Sequence, residues 1–349
     1  GYDDRYVLDA IAAIGAGLRG RADPHVVVVA STVMPGTMAG PAASRLQESS
    51  GRRIGAGLGL CYCPIFAALG DLICGYRTPD FLLIGESDAQ AGARVGALYG
   101  SIAANHPSVL RMSLVEAEIA KISLNNFIMT KLSFANMLAN LCARFPGADV
   151  ARVTGVLGLD KRIGRQYFRA AMPYGGPCFG RDGPALTALA RRLGTRVPLT
   201  EATEAVNAGL AADIVTMLQA AALPGARIAI LGLAFRHDTD VAALSPTIGI
   251  ANALHASGRR VRAWDPLAAA PARAMLDPAV EVAADASSCL AGADAVLVAN
   301  ADPAFAAIPA AAWAQGGKRP VVLDCWRILP VEALRGVVDL RYLGVGAAT

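Results

Sequence analysis

The sequence predicts an α/β protein in three parts: a portion of an open parallel sheet covered by helices, a mostly helical middle, and a second open α/β domain. Three observations carry this. Up to about residue 112, short apolar runs of strand type alternate with helix-length segments. From Leu114 to about Pro146 the helix breakers thin out, and Leu, Ile, Met and Ala dominate. After the linker Leu223-Pro-Gly-Ala, strand and helix patterns alternate again. The expected boundaries are 1–112, 113–221 and 222–349.

Residues 7–19 read as a helix, followed by a buried-type strand, Val26–Ala30, that ends at Ser31-Thr32. Gly57–Cys63 and Phe81–Gly85 read as further strands, with Ala89–Tyr99 a helix. Gly55-Ala-Gly57-Leu-Gly59 mimics a dinucleotide loop, but it leads into a strand instead of following one, so it is read as a structural turn. In the middle, Leu114–Pro146, Ala148–Leu157, Gly183–Leu193 and Thr200–Ala221 read as helices. The last part predicts strands at Arg227–Leu233, Arg260–Trp264, Val280–Ala283, Ala295–Ala299 and Val321–Asp324, with a helix at Pro246–Ser257.

Composition narrows the function. The chain has 349 residues, 54% of them hydrophobic and 17% charged, which excludes disorder and a disulfide scaffold. No apolar run reaches the roughly 18 residues of a membrane span. A net charge of +4 does not argue for nucleic acid. The seven cysteines are irregularly spaced and form no Cys-x-x-Cys, so no metal site is expected, and a reduced, cytoplasmic setting fits. Only 4 of the 32 basic residues are lysines, and three of them (Lys121, Lys131 and Lys161) fall in one stretch. The chain opens on Gly1 and not Met, which reads as an incomplete reading frame.

Three segments carry candidate chemistry. In Tyr174-Gly175-Gly176-Pro177-Cys178-Phe179-Gly180-Arg181-Asp182, two glycines and a proline allow a tight turn that exposes Cys178. A helix start there offers N–H groups that favour a thiolate, and Asp182 follows one helical turn on. A capped helix with a buried thiol explains the same residues. Glu118, Lys121 and Asn125 are spaced three and four apart, so the Lys121 ammonium and the Asn125 amide share a helix face suited to an oxyanion. A solvated stripe with a Glu118–Lys121 pair is the plainer reading. Thr32 ends a buried strand within Ser31–Thr37, where open sheets place ligands.

In this order the segments resemble the UDP-glucose/GDP-mannose dehydrogenase family. The likeness spans the chain: Ser-Thr-Val-x-Pro-Gly-Thr at 31–37, Glu118/Lys121/Asn125 running on to Lys131–Asn136, Gly158–Gly164, the Gly-Gly-x-Cys-Phe-x-Arg-Asp turn at 175–182, Leu231–Asp240, and Trp264-Asp265-Pro266. The resemblance implies a partial N-terminal Rossmann-like domain for NAD, a central helical dimerisation domain and a C-terminal Rossmann-like domain for a nucleotide sugar, with a UDP-hexose favoured. It implies a four-electron oxidation of the sugar C6 alcohol to a carboxylate with two NAD. By position, Cys178 would be the nucleophile, Lys121 and Asn125 the oxyanion holders, and Asp182 and Thr32 the groups that position water. Ser31, Thr32 and Asp182 would face the cofactor. Arg162, Tyr174, Gly175, Gly176, Phe235 and Arg236 would bind substrate, with Arg162 reaching across a homodimer and Arg236 standing where Lys is usual. Against the family pattern, Ile65 replaces a glutamate, a second glutamate aligns with Leu69, and Ala243-Leu244-Ser245 replaces Arg-Glu-Ser. The N-terminal half of the NAD domain, with its Gly-x-Gly turn, is expected to be missing. On that basis the chain is expected to bind a UDP-sugar without turning it over.

Overall fold

The computed structural model describes residues 2–66, 71–314 and 317–346, so Leu69 lies outside the described residues. The chain divides into two compact units, one of residues 1–126 with 184–197 and the other of residues 127–183 with 198–349.

The first unit opens with helix α1 (Arg5–Leu18), strand β1 (His25–Val29), a helical stretch from Met38 that becomes α2 (Ala43–Ser50), and strand β2 (Leu58–Tyr62). Helix α3 (Leu72–Arg77), strand β3 (Phe81–Glu86), helix α4 (Ala89–Ile102) and strand β4 (Ser108–Ser113) complete its sheet. The strands lie in the order β1-β2-β3-β4. The β1–β2 and β3–β4 pairs are parallel, but β2 and β3 pair antiparallel through Cys61↔Glu86 and Tyr62↔Gly85. A wholly parallel sheet was expected, and this antiparallel pair corrects it. Strand β4 escaped the sequence reading because Ser108–Ser113 is an edge strand without a buried residue. The core gathers Val27, Leu46, Leu60, Tyr62 and Leu83 beneath α1 and α2. Gly55 and Gly57 adopt φ of +86° and +77° ahead of β2, the turn geometry that only glycine takes easily.

Helix α5 (Leu114–Cys142) begins in the first unit and ends in the second, where α6 (Val150–Leu157), the start of α7 (Gly176–Arg192) and α8 (Pro198–Ala221) follow. Helix α7 was expected at Gly183–Leu193, but it starts seven residues earlier and takes in the glycine turn and Pro184. Pro184 lies well inside the helix, where its ring nitrogen offers no N–H to the Gly180 carbonyl one turn earlier.

The second unit's sheet is built from β5 (Arg227–Leu231), β6 (Arg260–Trp264), β7 (Glu281–Val282), β8 (Ala295–Val298), β9 (Val321–Asp324) and β10 (Asp339–Arg341), with α9 (Pro246–Ala256) between β5 and β6. All pairs are parallel, in the order β10-β9-β8-β5-β6-β7. Ile228–Leu231 and all of β8 are fully buried, which explains their unbroken apolar runs. Strand β5 stops at Leu231, two residues short of expectation, because Gly232 turns out at φ +103° and a side chain there would strike Asn300. Strand order reverses between β5 and β8, and ligands of open sheets bind outside the carboxyl ends at such a point.

Candidate active site

In the first unit, Ser31 and Thr32 follow the carboxyl end of β1, Ser31 exposed and Thr32 half-buried. The turn that carries them is anchored by α5. Val33 shares a buried cluster with Ala117, and Met34 shares another with Ile122. Glu118 is fully buried and accepts the backbone N–H of Gly36 at 2.8 Å and of Met38 at 2.7 Å. Burial pushes the Glu118 carboxyl up, and those two N–H groups pull against it. Thr37 donates its hydroxyl to Asp4 at 2.5 Å. The expected solvated Glu118–Lys121 stripe is therefore corrected: Glu118 turns inward to the turn's backbone.

Lys121, one turn along α5, donates to the Ile65 carbonyl at 2.7 Å and stands 4.5 Å from the centre of the Phe66 ring. The ammonium is thus held by the main-chain oxygen of Ile65 and an aromatic face. Asn125 is half-buried on the same face of the helix.

In the second unit, the segment that leads to Cys178 is pinned at short intervals. Asn136 of α5, buried, accepts the N–H of Ala171 at 3.0 Å. Asn207 of α8 accepts the N–H of Tyr174 at 2.8 Å and donates to its carbonyl at 3.0 Å. Gly176 donates its N–H to the Leu244 carbonyl at 2.9 Å. Both glycines are required by contact. A Cβ on Gly175 would sit 2.4 Å from the Leu244 carbonyl oxygen, and one on Gly176, whose φ is +81°, would sit 2.4 Å from the Phe235 ring. Leu244 itself takes φ +57°. Cys178 emerges exposed in the first turn of α7, and Asp182, one turn on, is buried. By contrast, burial pushes Cys61 and Cys289 up to about 12 and Cys63 to about 11, which makes them poor nucleophiles.

Tyr174 packs edge-on against Phe179 at 5.9 Å. Among the described residues its buried hydroxyl has no hydrogen-bond partner, and neither does that of Ser245. Arg236 donates to the His237 carbonyl, and Phe235 fills the space beside Gly176. Arg162 is largely exposed and ion-paired with Asp160 at 2.6 Å.

The sequence reading missed a cavity of 580 Å³ in this unit, lined by Arg152, Arg165, Phe168, Arg169, Trp326 and Arg327 among others. Arg169 lies over the Trp326 ring at 4.8 Å. Arg327 pairs with Asp149 at 2.6 and 2.9 Å, and this holds the Asp149 carboxyl below its usual value. The chain's preference for arginine was the available signal, but its arginines gather here from segments far apart in sequence. Asn207 and the role of Asn136 were missed too, since an amide within a helix shows no partner in the sequence.

The donor set at the end of β1 fits a dinucleotide: two accessible hydroxyls at a carboxyl edge suit ribose and phosphate oxygens. Comparisons with known proteins bear on this directly. A family model described as UDP-glucose/GDP-mannose dehydrogenase family, NAD binding domain, matches residues 1–103. The family's central domain matches 115–209 and its UDP binding domain 229–331. The expectation that the N-terminal half of the NAD domain is missing is therefore not borne out. It rested on the absence of an opening strand with its Gly-x-Gly turn, whereas the strand–helix alternation and the strand-end hydroxyls also mark that domain. The chain is 35% identical over 302 residues to the UDP-glucose 6-dehydrogenase of Haloferax volcanii, covering 86% of this chain and 70% of that protein. It is 33% identical to the UDP-glucose 6-dehydrogenase of Pseudomonas aeruginosa, covering 99% and 77%. A solved UDP-glucose dehydrogenase from Pyrobaculum islandicum superposes with a TM-score of 0.85 at 33% identity, over 99% of this chain and 76% of that one.

Proposed function

The chain belongs to the UDP-glucose/GDP-mannose dehydrogenase family, and we propose that it is an NAD-dependent nucleotide-sugar 6-dehydrogenase acting on a UDP-hexose. The observation that carries this reading is Cys178, exposed on the first turn of α7 at the end of a segment pinned at Ala171, Tyr174 and Gly176. NAD, when bound, accepts the hydride in each of the two oxidations. The Cys178 thiol adds to the C6 aldehyde, forming a C–S bond, and its proton passes to the carbonyl oxygen. Oxidation of that thiohemiacetal leaves a thioester on Cys178, which water hydrolyses to the carboxylate and the free thiol. Lys121 and Asn125 supply the ammonium and the amide that hold the oxyanion. Thr32 and Asp182 position the water, and Ser31, Thr32 and Asp182 face the cofactor.

The nucleotide belongs in the arginine-lined cavity. Its 580 Å³ is in the range of small-molecule sites. Guanidinium groups suit a diphosphate, and Trp326 and Phe168 suit a base. Tyr174, Gly175, Gly176, Phe235 and Arg236 complete the sugar and phosphate contacts. A UDP-hexose is favoured because Trp326 and Arg327 fall within the stretch that matches the UDP binding domain.

A homodimer is part of this reading. Phe127, Phe134 and Leu141 are 66%, 47% and 56% exposed on α5 and spaced seven apart, so they form one apolar stripe of the kind that pairs helices. Arg162, extended from the same unit, would reach the partner's sugar. Sedimentation at micromolar concentration is expected to give a dimer. The seven free thiols support a cytoplasmic setting, and no helix among the described residues is long and apolar enough to cross a membrane.

The alternative, a remnant that binds a nucleotide sugar without oxidising it, is not favoured, because all three domains of the family match. The test is direct. The purified chain with UDP-glucose and NAD is expected to form two NADH per sugar, and Cys178→Ser to form no acid while still binding UDP-glucose by calorimetry. Binding without NADH from the unmodified chain would revive the remnant. Full turnover by Cys178→Ser would remove the thiol from the mechanism.

A further inference from the structure

We infer that Glu118 is a positioning residue for the hydrolytic half of the reaction, acting through the turn that carries Thr32; this rests on the reading that Thr32 helps place the water. The carboxylate is fully buried, and both of its oxygens take main-chain N–H groups, of Gly36 and Met38, on the far limb of that turn. The near limb is buried in clusters that the same helix joins, Val33 in one that includes Ala117 and Met34 in one that includes Ile122. Asp4 takes the Thr37 hydroxyl from a different element, so two carboxylates close the turn. One turn of α5 therefore sets the loop behind Thr32, and the next turn presents Lys121.

The chemistry requires a carboxylate at this place. Two N–H donors converge on one side chain, and only a group with two acceptor oxygens satisfies both. Glutamine would accept one and direct its own NH₂ at the other, so the loop must shift. The step that feels such a shift is hydrolysis. Water oxygen adds to the thioester carbon, the C–S bond breaks, the Cys178 thiolate leaves, and the water's protons end on the thiolate and in solvent. No oxidant is consumed. A misplaced water slows this step and leaves a thioester on Cys178, whereas a fault in the hydride transfers, where Thr32 also faces the cofactor, would leave no thioester to accumulate.

Glu118→Gln, Thr32→Ala and the double variant of the full chain would be compared by kcat, by KM for UDP-glucose, and by intact mass during turnover. The expected result is a kcat lower by roughly 10²-fold in Glu118→Gln, with KM little changed and a sugar-nucleotide adduct accumulating on Cys178. Thr32→Ala is expected to do the same, and the double variant to be no slower than either single one. Glu118→Asp, which keeps the charge with a shorter reach, is expected to show the same adduct at smaller size even where Glu118→Gln folds poorly. Multiplicative losses in the double variant, or losses in both Glu118 variants without adduct, would overturn the inference while leaving Thr32 in place. A Thr32→Ala variant with normal kcat would overturn the reading of Thr32 itself, and the inference with it.

Discussion

Two loops in this chain bear residues of the proposed chemistry, Thr32 and Cys178, and they are held by opposite means. The Thr32–Met38 turn is fixed by a charge: Glu118 collects two N–H groups, and Asp4 collects the Thr37 hydroxyl. The Tyr174–Cys178 turn is fixed by the absence of side chains: Gly175 and Gly176 let the Leu244 carbonyl and the Phe235 ring approach where no Cβ fits. The first kind of hold depends on ionisation and can be altered atom by atom. The second is steric, and it yields only to a change of size. A nucleophile benefits from the second, since its position then does not vary with pH, whereas a loop that places water can be tuned through its carboxylate.

The largest effect is expected where the steric hold is broken. Gly176→Ala must carry a side chain at φ +81° into the Phe235 ring. It should cost about 2–4 kcal/mol in stability and abolish measurable NADH formation. Urea unfolding and the nicotinamide absorbance assay check both, and a fully active Gly176→Ala would show that the turn is held elsewhere.

A second charged hold, Asp149 with Arg327, sharpens the contrast from within the same unit. Hydrogen bonding to Arg327 lowers the Asp149 carboxyl from 3.8. A lowered folded-state value contributes stability that is present above 3.8 and lost as pH falls through the lowered value. The pair is partly exposed, so Asp149→Asn should cost only about 1 kcal/mol at neutral pH. The gap between the two proteins should close in acid. Thermal melts at several pH values check this, and a pH-independent gap would show that the loss does not come from the charge of Asp149, since asparagine keeps the oxygen that caps Ala151.

The smallest effect is expected at Leu244, which sits at φ +57° while its carbonyl accepts the Gly176 N–H. Leu244→Gly removes the strain and keeps that carbonyl, so stability should rise by about 0.5 kcal/mol with the turn intact. A marked loss of activity would show that the exposed side chain, which lies over Gly180, takes part in holding the turn.

Much of this molecule is determined by the linear order of its residues. Periodicity alone places β5, β6, β8 and β9 and the long α5, because unbroken apolar strands such as β8, the alternating pattern of β6 and a breaker-free helix are each distinctive. The glycine turn beside Cys178 and the i, i+4 pair of Lys121 and Asn125 are legible for the same reason: each lies within a single turn of chain. What only the tertiary structure decided involves residues far apart in sequence. The antiparallel direction of β3 against β2 is set by pairing between segments some 25 residues apart. Glu118 turned out to serve Gly36 and Met38, some 80 residues away, and not its helical neighbour Lys121. Asn207 holds Tyr174 across 33 residues. The arginines of the cavity converge from α6, the segment after it and the end of β9. Local rules report what a residue can do with its neighbours, but a buried carboxylate or amide is committed by whichever distant backbone groups folding leaves in need of a partner.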